Sequence, residues 1–145
     1  MTSSLDDEHS LTSMTYASRA NPDVSANYFN GILQQAQVNN AANGITGMLT
    51  FNKDYFLQTI EGPRAQINRL LYSLIADPRH HDLQVIETRE LKHRAWSKWS
   101  MNYASPTEKN AAIYLKYSTT IDFNPYLLSA EAAYNLMNEL SDQHD

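Results

Sequence analysis

The chain has 145 residues, 42% of them hydrophobic and 19% charged, the composition of a single globular domain rather than of a disordered chain. It has no cysteine, which excludes disulfides, thiolate metal centres, iron–sulfur clusters, a cysteine nucleophile and any photochemistry or redox cycle that bonds a ligand to sulfur. The net charge of −5 divides into −3 over residues 1–10 (Asp6, Asp7, Glu8), −3 over residues 139–145 (Glu139, Asp142, Asp145) and +1 for everything between, so the acidity is expected to lie in solubilising tails around a nearly neutral body, with neither a nucleic-acid footprint nor a membrane-surface helix.

Residues 1–10 are polar and acidic, unlike a signal or transit peptide, and read as a disordered tail. No apolar run reaches the roughly 18 residues that a membrane span needs, and a cytoplasmic location is the expectation. Residues 11–18 (LTSMTYAS) alternate loosely and read as a first strand. Asn21-Pro22 marks a turn, after which Tyr28, Phe29, Ile32, Leu33 and Ala36 fall at helical spacing over residues 25–39. Gly31 costs such a helix about 1 kcal/mol relative to alanine, and is expected to mark a close approach to a neighbour. Asn43-Gly44 is a turn signal. Residues 45–52 and 55–60 then form a hairpin around the polar tip Asn52-Lys53-Asp54, with Glu61-Gly62-Pro63 ending it.

Ile67, Leu70, Leu71, Leu74 and Ile75 make one apolar stripe of an amphipathic helix that Asp77-Pro78 stops. Residues 83–91 read as a strand, and residues 96–103, aromatic and alternating, as another. Two helices follow, over residues 109–117 and 129–140, the latter with Ala133, Leu136, Met137 and Leu140 on one face; Pro125 breaks the chain between them. The order β-α-β-β-α-β-β is close to the split βαβ pattern, so the expected fold is α+β, a ferredoxin-like sheet with two helices on one face and a C-terminal helical extension.

The chemistry-bearing groups are few. Asp77, His80, His81 and Asp82 crowd six residues, but adjacent histidines diverge in regular structure, and a solvated loop or anion contact is the better reading than a metal site. The starting residues of phosphate loops, esterases and zinc proteases are absent. Trp96, Trp99 and Tyr103 near Arg89, Lys92, Arg94 and Lys98 make either a base-stacking face or an aromatic-packed sheet edge, with Glu87 and Glu90 diluting the charge. Tyr16 and Gln58 are expected to be neighbours if their strands pair; they either satisfy one another or form a reactive pair beside a ligand, and the spacing leaves both open.

Taken together, Tyr16-Ala17-Ser18, Asn39-Asn40, the run from Gly44 to Leu49, Phe56-Leu57-Gln58, Glu61-Gly62-Pro63, Asp77-Pro78-Arg79-His80 and Trp99-Ser100-Met101 resemble the BLUF domain, a sensor of blue light using flavin adenine dinucleotide, in order, spacing and residue type over about residues 11–103. The resemblance implies a flavin-binding domain over residues 11–104, with residues 105–145 as the extension of the short stand-alone members and no enzymatic activity. It implies a flavin held non-covalently between the two helices, FAD with FMN or riboflavin as substitutes. Tyr16 takes the place of the photoactive tyrosine and Gln58 that of the glutamine between it and the ring. Asn40, with Asn39 beside it, matches the pyrimidine-edge asparagine, Ile32 and Phe56 match apolar positions around the ring, and Arg79 and His80 match the ribityl and phosphate side. Trp99 and Met101 match the positions from which the signal leaves.

Ala36 stands where many members have serine, Val38 where a basic residue is common, and Asp54 and Tyr55 at a tip where glycine is frequent; the first two remove contacts to the cofactor. The resemblance further implies a homo-oligomer and a response-regulator-like protein partner, since the open side of the sheet needs a cover, and neither nucleic acid nor membrane. A ferredoxin-like interaction or RNA-binding module without flavin is the alternative; a small flavin oxidoreductase lacks a nicotinamide site.

Overall fold

The structure, a computed structural model, describes residues 10–22, 26–96, 102–104, 108–118 and 123–142. Along the chain run β1 (Leu11–Ala20), α1 (Ala26–Ala42), β2 (Thr46–Phe51), β3 (Tyr55–Pro63), α2 (Arg64–Ala76), β4 (His80–Glu90), β5 (Asn102–Ala104), α3 (Glu108–Tyr117), a 3-10 turn (Pro125–Leu127) and α4 (Ala130–Asp142). The strands form one sheet in the order β4-β1-β3-β2-β5, antiparallel except that β5 lies parallel to β2. The β1-α1-β2 unit brackets β3 and the β3-α2-β4 unit brackets β1, which is the expected ferredoxin-like interleaving.

Several boundaries move for reasons that lie outside the local sequence. β3 continues through Gly62 and Pro63 because both pair with β1, opposite Thr12 and Leu11. Gly62 permits this: a Cβ there would stand 3.1 Å from the Gly44 carbonyl oxygen and from Ile45. β4 begins three residues early, where His80 and His81 pair with Ala20 and Arg19. Trp96 belongs to no strand; β5 is only the three residues from Asn102, and residues 97–101 lie outside the described ones. Gly31, expected to permit a close approach, is exposed and a Cβ added to it would meet nothing within 4 Å.

Side chains alternate across the sheet with period two. Met14, Tyr16, Leu49, Phe56 and Ile60 share one face and a core with Ile45 and Ile67. The alternate residues, Met48 and Leu57 with the polar Ser13, Thr15, Thr50, Thr59 and Glu61, are buried on the other face. The C-terminal elements cover this second face. Met48 and Leu57 share a core with Trp96, Tyr114, Phe123, Ala133, Leu136, Met137 and Leu140, which includes the predicted stripe of the last helix. The sheet's cover is thus supplied by the chain itself, which removes the reason given above for a second copy or partner on that face.

Ion pairs and stacked rings tie the extension down. Glu139, expected in a solubilising tail, accepts from Lys116 Nζ at 2.6 Å and from the Tyr117 hydroxyl, joining α4 to α3. The Arg89 guanidinium lies 4.0 Å over the Tyr134 ring while its Nε bonds Glu87. Arg19 stacks over Tyr126 at 4.5 Å and Tyr55 at 5.4 Å and reaches Asp82 at 3.1 Å. Asp82 adopts φ 54° and accepts from the Tyr126 hydroxyl through its carbonyl at 2.5 Å; burial and the Asp82 charge push the Tyr126 phenol up to about 12.

Candidate functional site

On the first face the helices do not close over the sheet. A cavity of about 540 Å³ opens between α1, α2 and the strands, within the size range of small-molecule and cofactor sites. Leu49, Phe56, Leu70 and Leu74 give it apolar walls, and Gln35, Asn39, Asn40 and Gln58 bring amides to it. Two residues of the apolar stripe of α2, Leu70 and Leu74, face this hollow, while only Ile67 is fully buried and Ile75 is 60% exposed.

Tyr16 and Gln58 are direct cross-strand partners of β1 and β3, both buried, and the Tyr16 hydroxyl donates to Gln58 Oε1. Both line the cavity. Burial pushes the Tyr16 phenol far above its ordinary range, with the Asp77 charge adding to the shift and Arg79 opposing it. The phenol is therefore neutral at any physiological pH. Such a group holds both an electron and a proton to give, with the proton's acceptor already in place. The amide beside it has two chemically opposite ends, so its rotation exchanges a donor for an acceptor at the strand that carries it.

Asn40 is buried and Asn39 exposed, at the end of α1, and both line the cavity. The Asn40 carbonyl accepts from Asn43 at 3.1 Å and Ile45 at 2.8 Å, ending the helix, while Gly44 takes φ 69°. The turn signalled by Asn43-Gly44 is there, and its left-handed residue is the glycine. Ala36 lines the cavity and Val38 is 70% exposed.

At the far end, Arg79 Nε donates to both Asp77 oxygens, at 2.8 and 2.9 Å, and its NH2 group donates to Oδ2 at 2.5 Å. Burial raises the Asp77 carboxyl, but the Arg79 hydrogen bonds and charge outweigh it and hold the group below its ordinary value. The cation expected to meet anionic oxygens is thus already balanced by a neighbour. His80 Nε2 donates to the Leu74 carbonyl at 2.5 Å and Nδ1 meets Ser18 Oγ at 2.7 Å; the ring stands edge-on to Tyr16 and Phe56, at 6.4 and 6.1 Å. His80 acts there as a wall beside the tyrosine. His81 turns instead to Asn21, and no metal-binding cluster occurs among the described residues.

The structure therefore brings Tyr16, Asn39, Asn40, Phe56, Gln58, Arg79 and His80 around one cavity. The side chain of Ile32, and Trp99 and Met101 entirely, lie outside the described residues. Sequence reasoning missed Gln35, Leu49, Ser73 and Asp77 as cavity residues, and the i, i+2 spacing of Asp77 to Arg79 did not reveal that the two would pair. Among the described residues of the base-stacking alternative, Trp96 is 3% exposed, Arg89 is paired, and Arg94 is spent on Thr46 and two backbone carbonyls, while Lys98, Trp99 and the Tyr103 side chain lie outside the described residues. No helix among the described residues is long and apolar enough to cross a membrane.

Comparison with known proteins gives a match to the family model described as sensors of blue light using FAD, over residues 11–102. The beta subunit of a photoactivated adenylate cyclase from Euglena gracilis is 33% identical over 105 residues, which is 72% of this chain and 12% of the cyclase. A blue light- and temperature-regulated antirepressor of Escherichia coli is 30% identical over 73 residues, half of this chain and 18% of that protein. The chain thus spans only a small part of these curated relatives. Among solved structures, the photo-activated state of BlsA superposes with a TM-score of 0.82 at 27% identity, covering 90% of this chain and 94% of that one. The dark state of BlrB, a BLUF protein, gives 0.70 at 32% identity, covering 75% and 82%.

Proposed function

The chain belongs to the family of blue-light sensors using FAD, and from that membership we propose that it is a non-enzymatic photoreceptor whose switch is the Tyr16–Gln58 pair. The observation that carries this is the buried Tyr16-to-Gln58 hydrogen bond in the wall of a cofactor-sized cavity. The cavity fits a flavin in chemistry: apolar walls suit a flat ring system, and clustered amides suit an edge that alternates donor and acceptor. Leu49, Phe56 and Leu74 would hold the ring, Asn40 with Asn39 its polar edge, and His80 and Arg79 the side where the tail leaves. Ile32 and the output positions Trp99 and Met101 enter from family likeness alone.

A bound flavin supplies absorption of blue light and an acceptor for one electron. Tyr16 is the donor in this chain, and the proton of its oxidised hydroxyl passes to Gln58 Oε1. The amide, now a donor rather than an acceptor at its oxygen end, releases an N–H proton toward the cavity in exchange for the one it gained, and the tautomer so formed, by rotating or in place, presents a different hydrogen-bonding end to the cavity. The signal is therefore stored in hydrogen bonds, as the absence of cysteine requires. FAD is the proposed form, after the family. With Asp77 already balancing Arg79, the tail adds little charge pairing, so FMN and riboflavin serve as substitutes. Residues 11–104 are the sensor and residues 105–145 an extension, the protein acts through a protein partner rather than on a substrate, and it works in the cytoplasm.

The test is an absorption spectrum of the flavin-loaded protein before and after blue light. The expected result is a small red shift that reverses in the dark. Tyr16→Phe and Gln58→Ala should each keep the flavin and lose the shift; a protein that cannot be loaded with flavin, or an unchanged photocycle in either variant, overturns the assignment.

A further inference from the structure

Glu61 is fully buried and lies three residues beyond Gln58 on β3, on the opposite face of the sheet. Its carboxylate accepts from two consecutive backbone amides, Ala95 at 2.8 Å and Trp96 at 3.1 Å, and from Thr46 Oγ1 at 3.2 Å. Arg94 closes the knot, donating to Thr46 Oγ1 at 2.9 Å, to the Glu61 carbonyl at 3.0 Å and to the Gly44 carbonyl at 2.6 Å. The turn after α1, the start of β2, the end of β3 and residues 94–96 are thereby joined at one point. Six hydrogen bonds converge within a few ångströms here, so this junction yields less readily than any single rung of the ladder around it.

Trp96, the residue so held, is not fully satisfied where it sits. Its ring packs in the core with Tyr114, Phe123 and Leu136, under α3 and α4, and its indole N–H is the only buried side-chain polar atom among the described residues without a hydrogen-bond partner. A buried unpaired donor gains free energy from any small displacement that brings an acceptor within reach. Its backbone is clamped to β3 while its side chain has an incentive to move.

We propose that Glu61 is a positioning residue that ties the photoactive strand to Trp96, so that a shift of β3 at Gln58 reaches the core beneath the C-terminal helices through the Glu61 carboxylate. This rests on the photoreceptor reading and adds to it a path across the sheet, from the cavity face to the packed face.

The experiment uses the flavin-loaded full chain labelled with fluorotryptophan, with the Trp96 fluorine resonance assigned by Trp96→Phe and followed by NMR in the dark and under blue light, beside the absorption spectrum. In the native chain the Trp96 resonance should move on illumination. In Glu61→Gln, which keeps shape but offers a donor where an acceptor is needed, the red shift should remain and the Trp96 movement should be lost. A purely structural role for Glu61 would lower both readouts together. Should Glu61→Gln not fold, Arg94→Ala is read in its place, with the Trp96 movement expected to shrink while the red shift stays. A Trp96 resonance that is stationary in a native chain showing the red shift, or that moves in the variant as in the native chain, overturns the proposal. Absence of the red shift in the native chain overturns the photoreceptor reading instead, and this inference with it.

Discussion

The two faces of the sheet are built from the same three central strands by alternate residues, and they are put to opposite uses. On one, Tyr16, Gln58 and Phe56 border a hollow of about 540 Å³, and the flanking α2 leaves most of its apolar stripe only partly covered. On the other, Leu57, Thr59 and Glu61 are sealed under the chain's own C-terminal elements. Polar groups on the cavity face include amides that a ligand can use. On the sealed face Thr15 is matched to Thr59 at 2.7 Å and Thr50 to the Tyr114 hydroxyl, and the indole N–H of Trp96 alone among the described buried side chains is left unpaired. One face is thus organised for chemistry and the other for cohesion, and a residue's parity along β3 decides which it serves.

Substitutions on the sealed face should cost stability and leave the red shift of the folded fraction intact. The largest effect is expected from Leu57→Ala, which empties a fully buried site and should lower the unfolding free energy by about 2–5 kcal/mol in chemical denaturation. Thr59→Val should cost about 1–3 kcal/mol, because it strands the buried Thr15 hydroxyl; the double variant Thr15→Val with Thr59→Val should recover most of that loss, since neither partner is then left unpaired. A double variant as unstable as the single one would show that the pair does more than satisfy itself.

An exposed position on α1, belonging to neither face, should respond in the other direction. Gly31→Ala on α1 meets no neighbour within 4 Å and should raise stability by about 1 kcal/mol, read as a higher denaturation midpoint. Destabilisation there would mean that α1 packs against something when the cavity is filled.

The sequence made the alternation readable but not the cover. The periodic stripe of α2 and the two β-rich runs around Asn52 located the elements, and the expected pairing of the first and third strands put Tyr16 beside Gln58. Boundaries set by distant partners were not legible: Gly62 and Pro63 look like a stop and are held in the strand by β1, and His80 and His81 look like a loop and pair with Ala20 and Arg19. Trp96 looked like a strand residue because aromatic alternation is a local pattern, while the carboxylate that holds it lies 35 positions earlier. Of the site, the pair and the asparagines were legible. Asp77 beside Arg79 was missed as a cavity residue because local spacing gives no warning that a cation will be taken by its neighbour.

The Tyr16–Gln58 register also makes β3 behave as a reading frame. Loss or gain of a single residue between Phe56 and Glu61 would turn Leu57 and Thr59 into the cavity and bury Gln58 beneath the C-terminal helices, exchanging the two faces at every position downstream. Substitutions can explore this strand one residue at a time, but a change in its length cannot be absorbed locally. Lineages that keep the switch are therefore expected to vary in the Asn52-Lys53-Asp54 tip and to hold the count of residues in the strand constant.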